Sequence, residues 1–202
     1  MKKLIVIMFF VFVSSLLAIT PEEIQEAYHK SFNYEKIEDY ENAVRALSSV
    51  IEEYPSGYTV NLRLGWLYYL LGKYANSIEY YQKAVQSVST SVEAKNGLML
   101  PLIAQNKYSE AASIAYQVVS VDYYNYYANL RLGYSLRMQK KYDQAAQIAN
   151  KMLAVYPTDV TFMTELALVK YNQGDKETAG SLMWDVLTLD PENETAKNYF
   201  EK

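Results

Sequence analysis

Cysteine is absent from this chain of 202 residues. That excludes disulfides, thiolate metal sites, a cysteine nucleophile and a lipid-modified N-terminal cysteine. Histidine is nearly absent: the single His29 has no neighbour at ligand spacing, so nothing suggests a histidine metal site or a proton relay. Glycine is sparse and scattered, seven in all, and forms no phosphate-cradling loop. An excess of basic charge is missing too. The formal net charge is −4, and −6 once Lys2 and Lys3 are set aside, so nothing attracts a phosphate backbone and nucleic acid is not expected as a partner. The acidic pairs Glu22–Glu23, Glu52–Glu53 and Asp190 with Glu192 read as helix starts or solvated faces rather than acid–base couples. The expectation is therefore a protein that is not an enzyme and holds no cofactor or metal.

The only long apolar stretch is Leu4 to Val13, shorter than the ~20 residues that span a bilayer. Lys2 and Lys3 precede it, and Ser14-Ser15-Leu16-Leu17-Ala18 follows with the small residues of a cleavage region. Residues 1–18 are expected to be a secretory signal, cut after Ala18 or after Ser15, giving an exported periplasmic or secreted protein. The alternative is membrane association through residues 4–18 retained as an anchor. Thr20-Pro21-Glu22-Glu23 has the form of a capping box, with Ile19 and Ile24 spaced as a hydrophobic staple, so folded structure is expected from Ile19.

What the chain does have is a period. Tyr40, Tyr74, Tyr108 and Tyr142 stand 34 residues apart, and Ala43, Ser77, Ala111, Ala145 and Ala179 keep the same step. Asn61-Leu62-Arg63-Leu64-Gly65 returns unchanged as Asn129-Leu130-Arg131-Leu132-Gly133. A 34-residue period is the length of a helix–turn–helix unit in a stacked array. Counting from Ile24 gives a 19–202 domain with units 24–57, 58–91, 92–125, 126–159 and 160–193, closed by a polar capping helix at 194–202. Each unit divides into helix A and helix B; Gly72-Lys73 and Gly174-Asp175 mark two of the turns between them. Pro55, Pro157 and Pro191 end helix B in three units, with Ser89 and Tyr123 in that place elsewhere. Gly65 and Gly133 are expected to let helices approach closely. Pro101, inside helix A of the third unit, predicts a kink or a late helix start.

This pattern resembles the tetratricopeptide repeat family. The second unit carries Leu64, Gly65, Tyr68, Tyr74, Tyr81 and Ala84, and the fourth carries Leu132, Gly133, Tyr142, Ala145 and Pro157. Departures are the bulky Val50, Val118, Met152 and Val186 at a small-residue place, and Lys176 where tyrosine is usual. The resemblance implies an all-α, right-handed superhelical solenoid whose A helices line a concave groove. It implies a non-enzymatic protein-binding scaffold that recognises a peptide segment or helix.

Carried onto this sequence, Phe32, Arg63, Trp66, Tyr69, Tyr127, Arg131, Tyr134, Arg137 and Tyr171 are the candidate partner-binding residues. Tyrosine, tryptophan and arginine are the residue types that most often anchor interfaces. Alternatively, Arg63 and Arg131 pair with Glu93 or Glu165 inside the array. A subfamily that clamps acidic chaperone tails uses lysine and asparagine where this chain has Thr59, Leu62 and Trp66, which points away from that ligand. Tyr123-Tyr124-Asn125-Tyr126-Tyr127 offers either a self-association patch or filling for an inter-unit seam. Other readings left open are a homo-oligomeric assembly subunit, an accessory subunit of an envelope enzyme complex, and a glycan binder. Asn193-Glu194-Thr195 also matches a glycosylation acceptor.

Overall fold

The computed structural model describes residues 19–201, so the leader expected over 1–18 lies outside the described residues. Among the described residues there are twelve helices and no strand. They are α1 (Pro21–Lys36), α2 (Tyr40–Arg45), α3 (Ser48–Glu53), α4 (Tyr58–Leu70), α5 (Tyr74–Ser87), α6 (Val92–Ala104), α7 (Tyr108–Val119), α8 (Tyr126–Met138), α9 (Tyr142–Leu153), α10 (Val160–Gln173), α11 (Lys176–Leu189) and α12 (Glu194–Phe200). None is long and apolar enough to cross a membrane.

Local chemistry repeats with the period. Asn125, Asp159 and Asn193 each begin a helix 34 residues apart and accept from the backbone amides of the first turn, as does Ser91 one step earlier. Thr20 and Glu23 form the expected capping box, Thr20 Oγ1 accepting from Glu23 N at 3.2 Å and Glu23 accepting from Thr20 N at 2.8 Å. The turn inside each unit needs one residue in the left-handed region. Glu38, Gly72, Asn106, Lys140 and Gly174 supply it, again at 34-residue steps, with φ between 60° and 88°. Only the two glycines and the asparagine are types that adopt it readily.

One local feature differs from expectation, and one of the two outcomes expected at Pro101 is removed. The second helix of the first pair is broken into α2 and α3, where the Ser48 hydroxyl donates to the Arg45 carbonyl and competes with the helical ladder. The helix holding Pro101 starts at Val92 and runs unbroken to Ala104, so the late start is not taken.

Consecutive helices pack against each other all along the chain. First helices also touch the next first helix (α4 with α6, α6 with α8, α8 with α10), whereas second helices do not approach one another comparably. The first helices therefore follow the shorter, inner arc of a right-handed superhelix. Buried apolar side chains form three clusters along the array: one around Leu47, Leu64 and Leu67, a long central one from Ile78 to Val169, and one around Met183 and Ala196 under α12. No pair could bury its apolar face alone; stacking does it.

Tyr81 ties the central cluster to the inner wall. It projects from α5 between two first helices, and its ring lies where side chains at Gly65 and Gly97 would sit. It is 3% exposed, and burial pushes its hydroxyl well above the ordinary tyrosine pKa. Gly133, equivalent to Gly65, has no such neighbour: the nearest atom to its absent Cβ is 3.6 Å away, in Ile148. Of the two close approaches expected, the structure makes one.

Candidate functional site: the inner wall of the array

The wall begins with the paired copies of the pentapeptide. Asn61 Nδ2 donates to the carbonyls of Pro55 and Gly57, and Asn129 Nδ2 donates to those of Tyr123 and Asn125. Each asparagine thus fastens the loop before its own helix. Leu64 and Leu132 are core residues in both copies. That leaves Leu62, Arg63, Leu130 and Arg131 to face the inner wall or its seams.

Arg63 is satisfied inside the array. It pairs with Glu35, its Nε and Nη2 donate to Ser31 Oγ at 3.3 and 3.2 Å, and its guanidinium lies 3.9 Å from the Phe32 ring centroid. Trp66 Nε1 donates to the other Glu35 oxygen at 2.7 Å. Trp66 stacks on Tyr69 with ring centres 5.8 Å apart, and Tyr69 leans on Tyr74. Phe32 keeps an open face, 48% exposed. Phe32, Arg63 and Trp66, with Tyr28, Leu62, Glu93, Leu100 and the Tyr81 ring, line a trough of about 470 Å³.

Further along, Arg137 makes a two-pronged bond to Glu165, with Nε to Oε2 at 2.9 Å and Nη2 to Oε1 at 3.0 Å. Desolvation lowers the Arg137 pKa, but the Glu165 hydrogen bond and charge outweigh it, and the net shift is upward. The Arg137 guanidinium covers the Tyr134 ring at 5.1 Å, and Tyr134 meets Tyr108 edge-on. Arg131 stands apart. It sits 5.2 Å from the Tyr127 ring centroid but has no ion pair and no hydrogen bond among the described residues, and its Nη1 is buried without a partner. Burial lowers its pKa, with Tyr127, Tyr81 and Tyr69 acting in the opposite direction.

The alternative pairing of Arg63 and Arg131 with Glu93 and Glu165 is thus corrected. Glu35 takes Arg63, Glu165 takes Arg137, and Glu93 accepts instead from the Tyr58 hydroxyl at 3.0 Å. Tyr127 is 59% exposed and Tyr171 47%, the latter edge-on to Tyr199 at 5.7 Å. In the tyrosine-rich run, Tyr126 fills the seam against Phe162, Tyr156 and Tyr127, while Tyr123 and Tyr124 stay exposed and Lys151 covers Tyr123 at 4.1 Å. Glu35 and Ser31, which hold Arg63 and Trp66, were not among the candidate residues.

The family model for the tetratricopeptide repeat matches residues 33–92 and 102–160, more than half the chain. The chain belongs to the tetratricopeptide repeat family. Among solved repeat arrays it is similar to the crystal structure of MamA (19% identity, TM-score 0.75, covering 86% of this chain and 94% of that one). It is similar also to MamA from Desulfovibrio magneticus (15% identity, TM-score 0.78, covering 87% and 99%). A third is YrrB, described as a repeat protein with an unusual peptide-binding site (14% identity, TM-score 0.74, covering 90% and 94%). At these identities the likeness is one of fold. No curated protein matches the chain. As a tetratricopeptide repeat array it has the architecture of a protein-interaction scaffold.

Proposed function

We propose that this array is a non-enzymatic scaffold of the cell envelope that holds an extended segment or helix of a partner protein along its inner wall. The observation carrying this is the division of labour on that wall. Some aromatics are spent on the fold, as Trp66 is, while Phe32 presents an open face in a trough sized for side chains, and Tyr127 and Tyr171 present open faces elsewhere on the array. Large aromatic surfaces on rigid helices give contact area at low ordering cost. The peptide-binding site named for YrrB supports the same use of the fold. The envelope setting rests on the signal-like residues 1–18.

Screening the purified array against a displayed library of random linear peptides should enrich binders. The combined Phe32→Ala, Tyr127→Ala and Tyr171→Ala variant should lose them at least tenfold with an unchanged helical spectrum. Binders that ignore the triple change place recognition off the wall. In the same work, N-terminal sequencing of chain recovered from the envelope should begin at Ile19 or Leu16; a start at Met1 removes cleavage.

Self-association through an end of the array is a second reading, favoured by Trp184. It is 66% exposed and packs only obliquely on Phe200, itself 49% exposed, at 5.4 Å. Exposed aromatic patches of this kind mark contact surfaces. Light scattering across a concentration series should then show dimers that Trp184→Ser abolishes. A monomer at every concentration removes this reading.

A further inference from the structure

The inner wall has one seam per pair of neighbouring first helices, and the two ion pairs that cross such seams share one geometry. Glu35 reaches Arg63, and Arg137 reaches Glu165; both pairs are 28 residues apart. In each, a residue late in one first helix meets a residue near the middle of the next. The same relation links Tyr69 to Gly97 and Ile103 to Arg131. The first two seams hold complementary charges, with opposite polarity. Tyr69–Gly97 holds no ionic charge. Ile103–Arg131 pairs in register a cation with a residue that carries no charge.

Comparison with Arg63 sharpens this. Its contacts are Ser31, Phe32 and Glu35, and the residues 68 places on are Met99, Leu100 and Ile103. None accepts a charge-assisted hydrogen bond. The rest of the pentapeptide does the same work in both copies: the asparagine fastens its loop and the second leucine is buried. Only the arginine has lost its partners. Glu165, the acidic residue of the neighbouring helix, is engaged at both oxygens by Arg137. A half-buried guanidinium with no anion among the described residues is a destabilising arrangement; Nη1 is sealed, and Nε and Nη2 are the nitrogens that a group from outside the chain can reach.

We propose that Arg131 is the receptor for a single carboxylate of the bound partner, which supplies the charge that Glu35 supplies to Arg63. This rests on the inner wall being the binding surface. The planar guanidinium fork suits a carboxylate, and the Tyr127 ring against it restricts its orientation. The carboxylate belongs either to an aspartate or glutamate side chain or to a chain terminus. The whole chain carries a net charge of −4, which gives no long-range attraction to an acidic tract, so recognition is local and of one group.

The chain has only four arginines, Arg45, Arg63, Arg131 and Arg137, so their Nε–H resonances can each be followed by NMR. Sodium acetate titrated against sodium chloride at constant ionic strength should move the Arg131 signal along a saturating curve. Arg63 and Arg137, already paired, should stay still, and exposed Arg45 gives the non-specific level. Ile103→Glu, which supplies an internal carboxylate at the position equivalent to Glu35, should abolish the response while leaving the other three signals in place. An Arg131 shift no larger than that of Arg45 overturns the proposal.

Three hexapeptide pools then separate the source of the carboxylate: free C-termini without acidic side chains, amidated peptides with one glutamate, and amidated neutral peptides. Arg131→Gln should weaken one or both charged pools at least tenfold. Tight binding of the neutral pool, matched by the charged ones and insensitive to Arg131→Gln, defeats the carboxylate assignment and leaves the wall as a binding surface. An acetate response at Arg131 with no pool bound defeats the peptide-binding reading and leaves the carboxylate site.

Discussion

Gly97→Ala should destabilise the array by about 2 kcal/mol, although alanine is the better helix former. The added Cβ would lie 2.2 Å from Cε1 and 2.6 Å from Cζ of Tyr81, distances that real Cβ atoms do not adopt. The ring has no free direction. On its other side Gly65 leaves room for it with a Cβ position only 2.7 to 2.9 Å away, and the residue is 3% exposed. Overpacking of this kind costs about 3 kcal/mol, from which ~1 kcal/mol of helix propensity is recovered. Gly65→Ala should behave alike. Gly133→Ala, at the place equivalent to Gly65, should do the reverse and stabilise by up to ~1 kcal/mol, because its nearest neighbour at 3.6 Å is in ordinary contact. Urea denaturation midpoints measure all three. Shortening the ring with Tyr81→Leu should shrink the Gly97→Ala penalty, a coupling expected only for residues that compete for one space. Equal effects at Gly65 and Gly133 would show that the glycines serve the helix and not the ring.

The reason for this opposition is partly written in the period. The places equivalent to Tyr81 hold Leu47, Ala115, Ala149 and Met183, and those equivalent to Gly65 hold Ser31, Met99, Gly133 and Ala167. Where one is very large the other has no side chain. The fold was legible at this level because a 34-residue period leaves few architectures, and because caps and turns fall at fixed places within it. Some features had no residue-type signal. Glu38 and Lys140 adopt the left-handed turn conformation, which neither residue type advertises, and only their register with Gly72 and Gly174 reveals it. The break between α2 and α3 falls where one serine hydroxyl bonds a backbone carbonyl.

The wall was harder to read than the fold. Which side chains face each other across a seam depends on the offset between neighbouring first helices, and the period alone does not fix that offset. The structure sets it at 28 residues for both ionic pairs, which makes Glu35 the partner of Arg63 and gives Arg131 none. Arg63 and Arg131, alike in sequence down to their flanking residues, are therefore unlike in chemistry.

Glu35→Ala should destabilise the array by about 3 kcal/mol, the lower end of what breaking a buried ion pair costs, since the Glu35 side chain keeps 24% exposure. The loss does not measure the strength of the bridge. It comes from leaving Arg63, 9% exposed, as an uncompensated charge, together with the Trp66 indole N–H that shared the same carboxylate. Removing both charges together, Glu35→Leu with Arg63→Met, should therefore be much milder than the single change, and a single change no worse than the double would refute the account. Loss of Glu35 also leaves Arg63 without an anion, as Arg131 is in the native chain, although Arg63 keeps its bonds to Ser31. In that variant, provided it stays folded at low temperature, the Arg63 Nε–H signal should begin to follow added acetate, as that of Arg131 is expected to do without any substitution. The two arginines then test one idea from opposite sides: whether a guanidinium on this wall takes a carboxylate from outside depends on whether the neighbouring helix already supplies one.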